Sequence, residues 1–249
     1  MILTIATHEL RRMFLSPLAW TILAVVQLIL AFMFLGHLEY FQQGQSQILG
    51  MDNPPGLTEL VVAPLFGNAA IVLLLVVPLI SMRLVSEERR NKTLSLLFSA
   101  PASMTEIVLG KYFGLVAFLY VQLALIALMP LALLFGGGLD FGVFAAGLLG
   151  LMLLLSGFAA VGLFMSTLTQ HQTVAAVATF GMLLLFWILD WAGEGLAGTG
   201  VLSYLSLLNH YEPFLKGVFD TSDLAYHLLF AATFLTFAVR RLDMDRLGG

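Results

Sequence analysis

Six long apolar segments constrain the fold of this chain more than any other feature of its sequence. A helix needs ~20 mostly apolar residues to cross the hydrocarbon core of a bilayer, and ~17 to 25 are tolerated. The segments that meet or approach this length are 18–35, 65–82, 112–135, 141–165, 174–191 and 224–239. We therefore predict an all-α integral membrane protein in which residues 1–249 form a single domain with six transmembrane helices.

The composition excludes a soluble globular domain. Hydrophobic residues make up 60% of the 249 residues and charged residues 10%, whereas soluble domains are about half apolar and about a quarter charged. The sequence contains no cysteine, which excludes disulfides, thiol catalysis and cysteine-bound metal centres. No apolar core followed by small residues precedes the first segment, so we expect that segment to be retained rather than removed as a signal peptide.

The basic residues are segregated between the loops. Ten of the eleven Lys and Arg residues lie before the first segment, between the second and third, or after the sixth, and only Lys216 lies on the other side. Cytoplasmic loops carry an excess of Lys and Arg. We therefore predict a multi-pass protein of the bacterial cytoplasmic (inner) membrane with both termini in the cytoplasm.

Residues 1–16 predict an amphipathic interface helix. Its apolar face would carry Ile2, Ile5, Ala6, Leu10, Met13 and Phe14, and its polar face Thr4, Thr7, His8, Arg11 and Arg12. A basic amphipathic helix of this kind lies at the membrane surface. His8, Glu9, Arg11 and Arg12 are its candidate functional residues. The alternative is a segment that only sets the orientation of the chain.

The loop between the second and third segments predicts a second surface helix, over residues 86–100. Ser86 can cap its N-terminus, and Glu87 and Glu88 suit the positive end of the helix dipole. The apolar residues Leu94, Leu97 and Phe98 recur at helical spacing, and Pro101 ends the helix. The spacing alone is equally consistent with a solvated, positively charged loop.

Two outer segments are not simply hydrophilic. The first covers about residues 37–64, and the second covers residues 192–220 and contains an apolar stretch at 201–208. We predict short helices that dip into the interface or back into the bundle, with 192–220 as a re-entrant segment. Thr221, Ser222 and Asp223 are predicted to cap the sixth span.

Motifs of catalytic or metal sites are missing from the sequence. Gly110-Lys111 is not a phosphate-binding loop, because Thr105 stands at its first glycine position and Tyr112 stands where Ser or Thr belongs. The five histidines have no metal-ligand spacing, and we assign them no metal-binding role. Gln27 and Gln122 are the deepest polar residues and are expected to form hydrogen bonds between helices. We predict no catalytic residue, cofactor or metal in this chain.

The inner loop resembles that of type 2 ABC transporter permeases. Members of that family read Glu-Glu-Arg-x-x-Gly-Thr-Leu-Glu-x-Leu-Leu, then Ser/Thr-x-Pro, then Gly-Lys before the third span. Residues 86–101 read Ser-Glu-Glu-Arg-Arg-Asn-Lys-Thr-Leu-Ser-Leu-Leu-Phe-Ser-Ala-Pro and are followed by Glu106-Ile107-Val108-Leu109-Gly110-Lys111. The sequence departs from the family pattern at Lys92, where the family favours glycine, and at Ser95, where it favours glutamate. Residues 209–220, followed by Asp223-Leu224-Ala225-Tyr226, are similar to the gliding-motility-associated permease subfamily.

The resemblance implies a permease subunit that is not itself an enzyme. Two copies of a cytoplasmic ABC ATPase would bind ATP and Mg, and a second permease chain, identical or related, would complete the dimer. The helix over 86–100 would be the coupling helix that docks into the ATPase. The N-terminal helix would also contact the ATPase and help to hold it. The residues implied in coupling are Glu87, Glu88, Arg89, Arg90, Thr93, Leu94, Leu97, Phe98 and Pro101.

The cargo is not evident from the sequence, and export and mechanical work are both consistent with it. Membrane lipid and an outer or periplasmic accessory protein are further expected partners, and nucleic acid is not. Two other classes compete with the permease. One is a self-sufficient secondary transporter or channel, although no charge is predicted deep in the bilayer. The other is a membrane scaffold protein.

Overall fold

The computed structural model describes residues 1–48, 56–93, 102–136, 138–195 and 204–247. Of the described residues, 88% are helical, and none lies in a strand. The α-helices are α1 (Ile2–Leu15), α2 (Pro17–Ile48), α3 (Ala63–Ser81), α4 (Ser86–Arg90), α5 (Met104–Ala132), α6 (Phe141–Leu168), α7 (Gln172–Gly195), α8 (Leu207–Leu215) and α9 (Thr221–Leu247). A π-helical turn, Thr58–Val62, leads into α3, and a 3-10 turn, Leu133–Gly136, follows α5.

In the described ranges, six helices are long and apolar enough to cross a membrane, which confirms the predicted all-α membrane fold. They are α2, α3 with its preceding turn, α5, α6, α7 and α9. Several extend beyond the apolar runs, because helical hydrogen bonding continues into polar residues of good helix propensity. The largest extension is in α2, which reaches Ile48 where the apolar run ends at 35. There the Gln43 side chain donates a hydrogen bond of 3.0 Å to Glu39, one helical turn earlier.

Helix α6 lies at the centre of the bundle and packs against α3, α5, α7, α8 and α9. Glycines on its surface allow this close packing. A Cβ added at Gly150 would lie 2.5 Å from Cβ of Phe214 in α8, and one added at Gly162 would lie 2.2 Å from Oγ of Ser81 in α3. The helices that surround α6 can therefore approach its backbone directly.

The two deep glutamines have different environments. Gln27 in α2 donates a hydrogen bond of 3.1 Å to the carbonyl of Leu125 in α5, which confirms the expected contact between helices. Gln122 is 1% exposed, and neither of its side-chain polar atoms has a hydrogen-bond partner in the described part of the chain. The expectation for Gln122 is therefore wrong, because neither its amide nitrogen nor its amide oxygen reaches a hydrogen-bond partner among the described residues.

The segment predicted to return into the bundle, 192–220, contains α8, while residues 196–203 lie outside the described ranges. Tyr211 and Phe214 of α8 are completely buried. The Tyr211 hydroxyl donates a hydrogen bond of 3.0 Å to the carbonyl of Phe66 in α3. Helix α8 is therefore anchored to α3 and α6.

The start of α9 differs from the predicted cap. Asp220 is the capping residue, and its carboxylate accepts a hydrogen bond of 2.9 Å from the backbone N–H of Ser222. This bond holds the pKa of the Asp220 carboxyl below its usual value. Asp223 points into the protein instead, where its Oδ1 lies 2.6 Å from Nδ1 of His210. The other ring nitrogen of His210 lies 2.9 Å from the carbonyl oxygen of Tyr204, so this histidine joins α8 to α9.

Candidate functional site

Charged side chains meet at one end of the bundle, which we call the terminal face. It comprises α1, α4, the first turns of α5 and the last turns of α9. The ion pairs of this face are Lys111–Glu9, Lys111–Glu88, Arg12–Glu87, Arg12–Glu9, Arg89–Asp245 and Arg241–Asp245. They join elements that are far apart in the sequence into one network.

Lys111 is the centre of the network. It lies about two turns into α5 and its side chain is only 1% exposed. Its Nζ is 2.5 Å from Oε1 of Glu9 in α1 and 2.6 Å from Oε1 of Glu88 in α4. A buried ammonium group is tolerated only when such partners replace its hydration. The position of Lys111 therefore depends on both α1 and α4.

Two glycines allow α1 to come this close to α5. A Cβ at Gly110 would lie 2.6 Å from Cβ of Ile5, and one at Gly114 would lie 2.8 Å from Cβ of Glu9. Their spacing of four residues is the small-residue pattern that lets helix backbones touch. The Gly-Lys pair before the third span thus has a physical reason here. The glycine admits α1, and the lysine binds the carboxylate that α1 carries.

A second ion pair connects α1 directly to α4. The Arg12 guanidinium lies 2.8 Å from Oε1 of Glu87, and the Arg12 side chain is 40% exposed. An exposed pair of this kind contributes little stability by itself. The pair does fix the orientation of Glu87, the α4 carboxylate that Lys111 does not bind.

A third set of contacts connects α4 to α6 and α9. Arg89 forms an ion pair with Asp245 of α9 and donates a hydrogen bond of 2.7 Å to the carbonyl of Thr167 at the end of α6. Asp245 also lies 3.4 Å from Arg241, one turn earlier in α9. A displacement of α4 would therefore act on α5 through Glu88 and on α9 through Arg89.

The N-terminus of α4 is capped from another helix. Oγ of Ser166 in α6 accepts hydrogen bonds from the backbone N–H groups of Val85 and Ser86, at 3.0 and 3.1 Å. Ser86 is the first helical residue, and its own hydroxyl donates to the carbonyl of Met82. The prediction that Ser86 caps the helix is wrong, because a serine from α6 already occupies the capping position.

Helix α4 ends at Arg90, so the predicted continuous helix over 86–100 is wrong at residues 91–93. The N–H of Thr93 donates to the carbonyl of Glu88 at 3.0 Å, and the N–H of Lys92 donates to that of Arg89 at 3.2 Å. These two bonds form a Schellman C-terminal motif. The motif requires a left-handed residue, and Lys92 has φ 57° at the position where the resembling family favours glycine.

The candidate coupling residues divide into three groups. Glu9, Arg12, Glu87, Glu88 and Arg89 are held in the internal network. The residues exposed at the terminal face are His8, Arg11, Arg90 and Thr93. Four candidates lie outside the described residues, namely Leu94, Leu97, Phe98 and Pro101.

Lys111, Ser166 and Asp245 were not predicted from the sequence as partners of these residues. One available signal was Glu9, which follows Ile5 and Ala6 at spacings of four and three and so falls on the apolar face of α1. A carboxylate on a buried face requires a cation nearby. No comparable signal identifies Ser166. In the described ranges, no group of three or more His, Asp or Glu side chains could hold a metal ion.

The six candidate spans in the described ranges define a multi-pass membrane protein, and the ion-paired terminal face lies at one end of its bundle. Comparison with protein families makes this specific. A family model described as ABC-2 family transporter protein matches residues 3–239. The chain belongs to this family and is the membrane-spanning permease of an ABC transporter.

Membrane proteins of this family work with cytoplasmic ATPase partners. The family match does not distinguish subfamilies, so the resemblance to gliding-motility-associated permeases stays a prediction. None of the curated proteins compared with the chain matches it significantly.

Proposed function

We propose that this permease couples ATP hydrolysis by a separate ATPase chain to export or to mechanical work across the membrane. The supporting observation is the network at the terminal face, in which α4 is bound to α1, α5, α6 and α9 by charged or hydrogen-bonded side chains. A small element with this many anchors moves together with the helices that hold it. In this proposal the terminal face lies in the cytoplasm.

The proposed docking surface consists of the outward residues of α1 and of the turn after α4. His8 and Arg11 are exposed on α1, and Arg90 and Thr93 are exposed at the end of α4. Glu87 and Glu88 have the different role of positioning residues, since their carboxylates face Arg12 and Lys111. The ATPase would bind in two copies and supply the ATP and Mg sites, and a second permease chain would complete the transporter.

Force from the ATPase would enter at α1 and α4 together. The Glu88–Lys111 pair would transmit it to α5, the Arg89–Asp245 pair to α9, and Ser166 to α6. Because close-packed helices shift between discrete arrangements rather than deform continuously, the bundle would respond by re-packing. Helix α6 would carry the change to α8 on the opposite side, where Gly150 contacts Phe214.

The recruitment test is a pull-down in mild detergent followed by mass spectrometry. The wild-type chain should recover a soluble ATPase in a one-to-one ratio, and Arg11→Glu or Arg90→Glu should reduce recovery severalfold. Lys216→Glu is the matched control, because Lys216 is a 72% exposed cation on the opposite side and should leave recovery unchanged. Equal recovery by all four proteins would refute the docking surface.

The function test is reconstitution into vesicles. The proposal predicts no activity from this chain alone under an ion gradient and substrate-stimulated ATP hydrolysis when the ATPase is added. Transport without the ATPase would favour a secondary transporter or channel. An ATPase that binds but whose hydrolysis never responds to any cargo or outer partner would favour a scaffold.

The orientation is testable because the sequence contains no cysteine, so a single introduced thiol is the only labelling site. A membrane-impermeant maleimide should label Val218→Cys in intact cells and Thr93→Cys only after permeabilisation. Both native residues are exposed, so burial does not limit either reaction. Labelling of Thr93→Cys in intact cells would overturn both the topology and the coupling mechanism.

A further inference from the structure

A cavity of about 240 Å³ lies at the terminal face between α1, α2 and the end of α3. Its walls are apolar where Leu18 and Ile80 face it, and charged where Arg12 and Arg83 face it. A site with both kinds of wall fits a ligand that has a charged group attached to an apolar body. The charged residues of the wall indicate whether that ligand group is an anion or a cation.

The two carboxylates that line the cavity are already neutralised. Glu9 is bound to Lys111 at 2.5 Å, and Glu87 is bound to Arg12 at 2.8 Å. The charge of Arg83 is not neutralised in this way, because none of the described carboxylates lies within ion-pair distance of its guanidinium group. Its Nε is buried and has no hydrogen-bond partner within the described ranges. A buried guanidinium N–H without an acceptor costs free energy, and an anionic oxygen would satisfy it.

The side chains beside the cavity point to lipid rather than water as the source of that oxygen. Leu15 is 75% exposed and Trp20 is 59% exposed, and both are neighbours in sequence of the cavity residues Ser16 and Ala19. The Trp20 indole donates a hydrogen bond of 2.8 Å to the carbonyl of Phe14, while its ring remains open to the surroundings. Tryptophan in this setting is typical of the headgroup level of a membrane. The cavity therefore lies where phospholipid headgroups are found.

We propose that this cavity binds the phosphate group of an anionic phospholipid from the leaflet at the terminal face. Arg83 supplies the anion contact, while Arg12 stays paired with Glu87 at the rim. Leu18 and Ile80 contact the glycerol backbone, and the acyl chains extend along α2. Because α1 and α3 both line the cavity, the bound lipid holds the interface helix against the bundle. This proposal requires only that the chain spans a membrane and does not depend on ATP coupling.

The experiment is native mass spectrometry of the full chain released from mixed micelles that contain equal amounts of phosphatidylglycerol and phosphatidylcholine. The wild-type chain should retain phosphatidylglycerol preferentially. Arg83→Gln should reduce this preference about tenfold, the equivalent of one charge-assisted contact. Arg83→Lys should keep part of the preference, because it retains the cation and loses the planar fork. Arg90→Gln, which removes an exposed cation from the same face, is the control and should change nothing.

Four results would overturn the proposal. Equal retention of the two lipids by the wild-type chain would show that the cavity does not select an anion. An equal loss in Arg83→Gln and Arg90→Gln would show diffuse attraction to a basic face. Displacement of the lipid by inorganic phosphate alone at millimolar concentration would assign the site to free phosphate. A complex purified with its ATPase and free of anionic lipid would show that the protein partner fills the cavity. Melting of Arg83→Gln in phosphatidylcholine micelles at the wild-type temperature establishes that the variant is folded.

Discussion

Replacement of Lys111 by methionine is expected to destabilise the protein more than any other single change at the terminal face. Methionine preserves most of the side-chain length and removes the charge, so Glu88 would lose its cation and Glu9 would keep only the partly exposed Arg12, at 3.9 Å. The Lys111 side chain is 1% exposed and that of Glu9 is 8% exposed, so water cannot replace the lost partner. Removal of one member of a buried ion pair costs about 3–5 kcal/mol.

Two further variants separate the charge effect from packing. Glu9→Gln leaves Lys111 paired with Glu88 at 2.6 Å, so its cost should be about half that of Lys111→Met. A triple variant replaces Glu9, Glu88 and Lys111 by methionine, so that none of the three buried charges remains. It should recover much of the lost stability, since well-packed apolar replacements of ion triads are often neutral. This recovery is the distinctive expectation, because independent losses would add.

The assay is thermal or denaturant unfolding in detergent micelles, with tryptophan fluorescence as the recorded signal. Lys216→Met is the control, because Lys216 is 72% exposed and lies 3.6 Å from Glu212. It should change the free energy of unfolding by less than about 0.5 kcal/mol. A cost below about 1 kcal/mol for Lys111→Met, comparable to that of an exposed pair, would refute the reasoning. A triple variant less stable than every single variant would refute it as well.

Three other predictions follow from local geometry. Gly114→Val should displace α1 from α5 and lower the melting temperature by several degrees, because its Cβ would lie 2.8 Å from Glu9, whereas Gly181→Ala should be neutral since nothing described lies within 4 Å. Lys92→Gly should stabilise the end of α4 by about 1 kcal/mol in the unfolding assay, because glycine accepts a positive φ without cost. Ser166→Ala should cost about 1–3 kcal/mol in that assay, because two backbone N–H groups at the start of α4 lose their acceptor.

Each of these predictions has a contrary outcome. A Gly114→Val protein as stable as Gly181→Ala would mean that α1 does not pack closely on α5. A Lys92→Gly protein less stable than wild type would mean that contacts of the lysine side chain outweigh the backbone strain. A Ser166→Ala protein with wild-type stability would mean that the first turn of α4 is hydrated rather than capped.

Local interactions along the chain explain why parts of the structure were predictable. The N-terminal helix follows from its amphipathic pattern, and the structure confirms a helix over Ile2–Leu15. The burial of Glu9 was not predicted. Its spacing places it on the buried face of the helix, but a glutamate is normally expected on the polar face. Its burial depends on Lys111, which is 102 residues away in the sequence.

The ends of α4 illustrate both sides of this division. Its C-terminus is local, since Glu88, Arg89, Lys92 and Thr93 form the motif among themselves, and the departure from glycine at Lys92 was visible in the sequence. Its N-terminus is not local, since the capping hydroxyl comes from Ser166, more than 80 residues later. The contact between His210 and Asp223 also joins two different helices. It was not predicted from the sequence, and the two side chains lie 2.6 Å apart.

The sequence alone determined that this chain is a bundle of six membrane-spanning helices, because apolar length and the cost of unpaired backbone in lipid leave no other solution. It also determined which loops carry the positive charge. Only the tertiary structure decided which charges are buried together at Lys111 and which helix caps α4. It also decided that Arg83, in the cavity beside α1, has none of the described carboxylates within ion-pair distance. Those outcomes depend on which helix faces are adjacent, and adjacency arises from the close approach of backbones at glycines such as Gly110 and Gly114 rather than from any pattern along the chain.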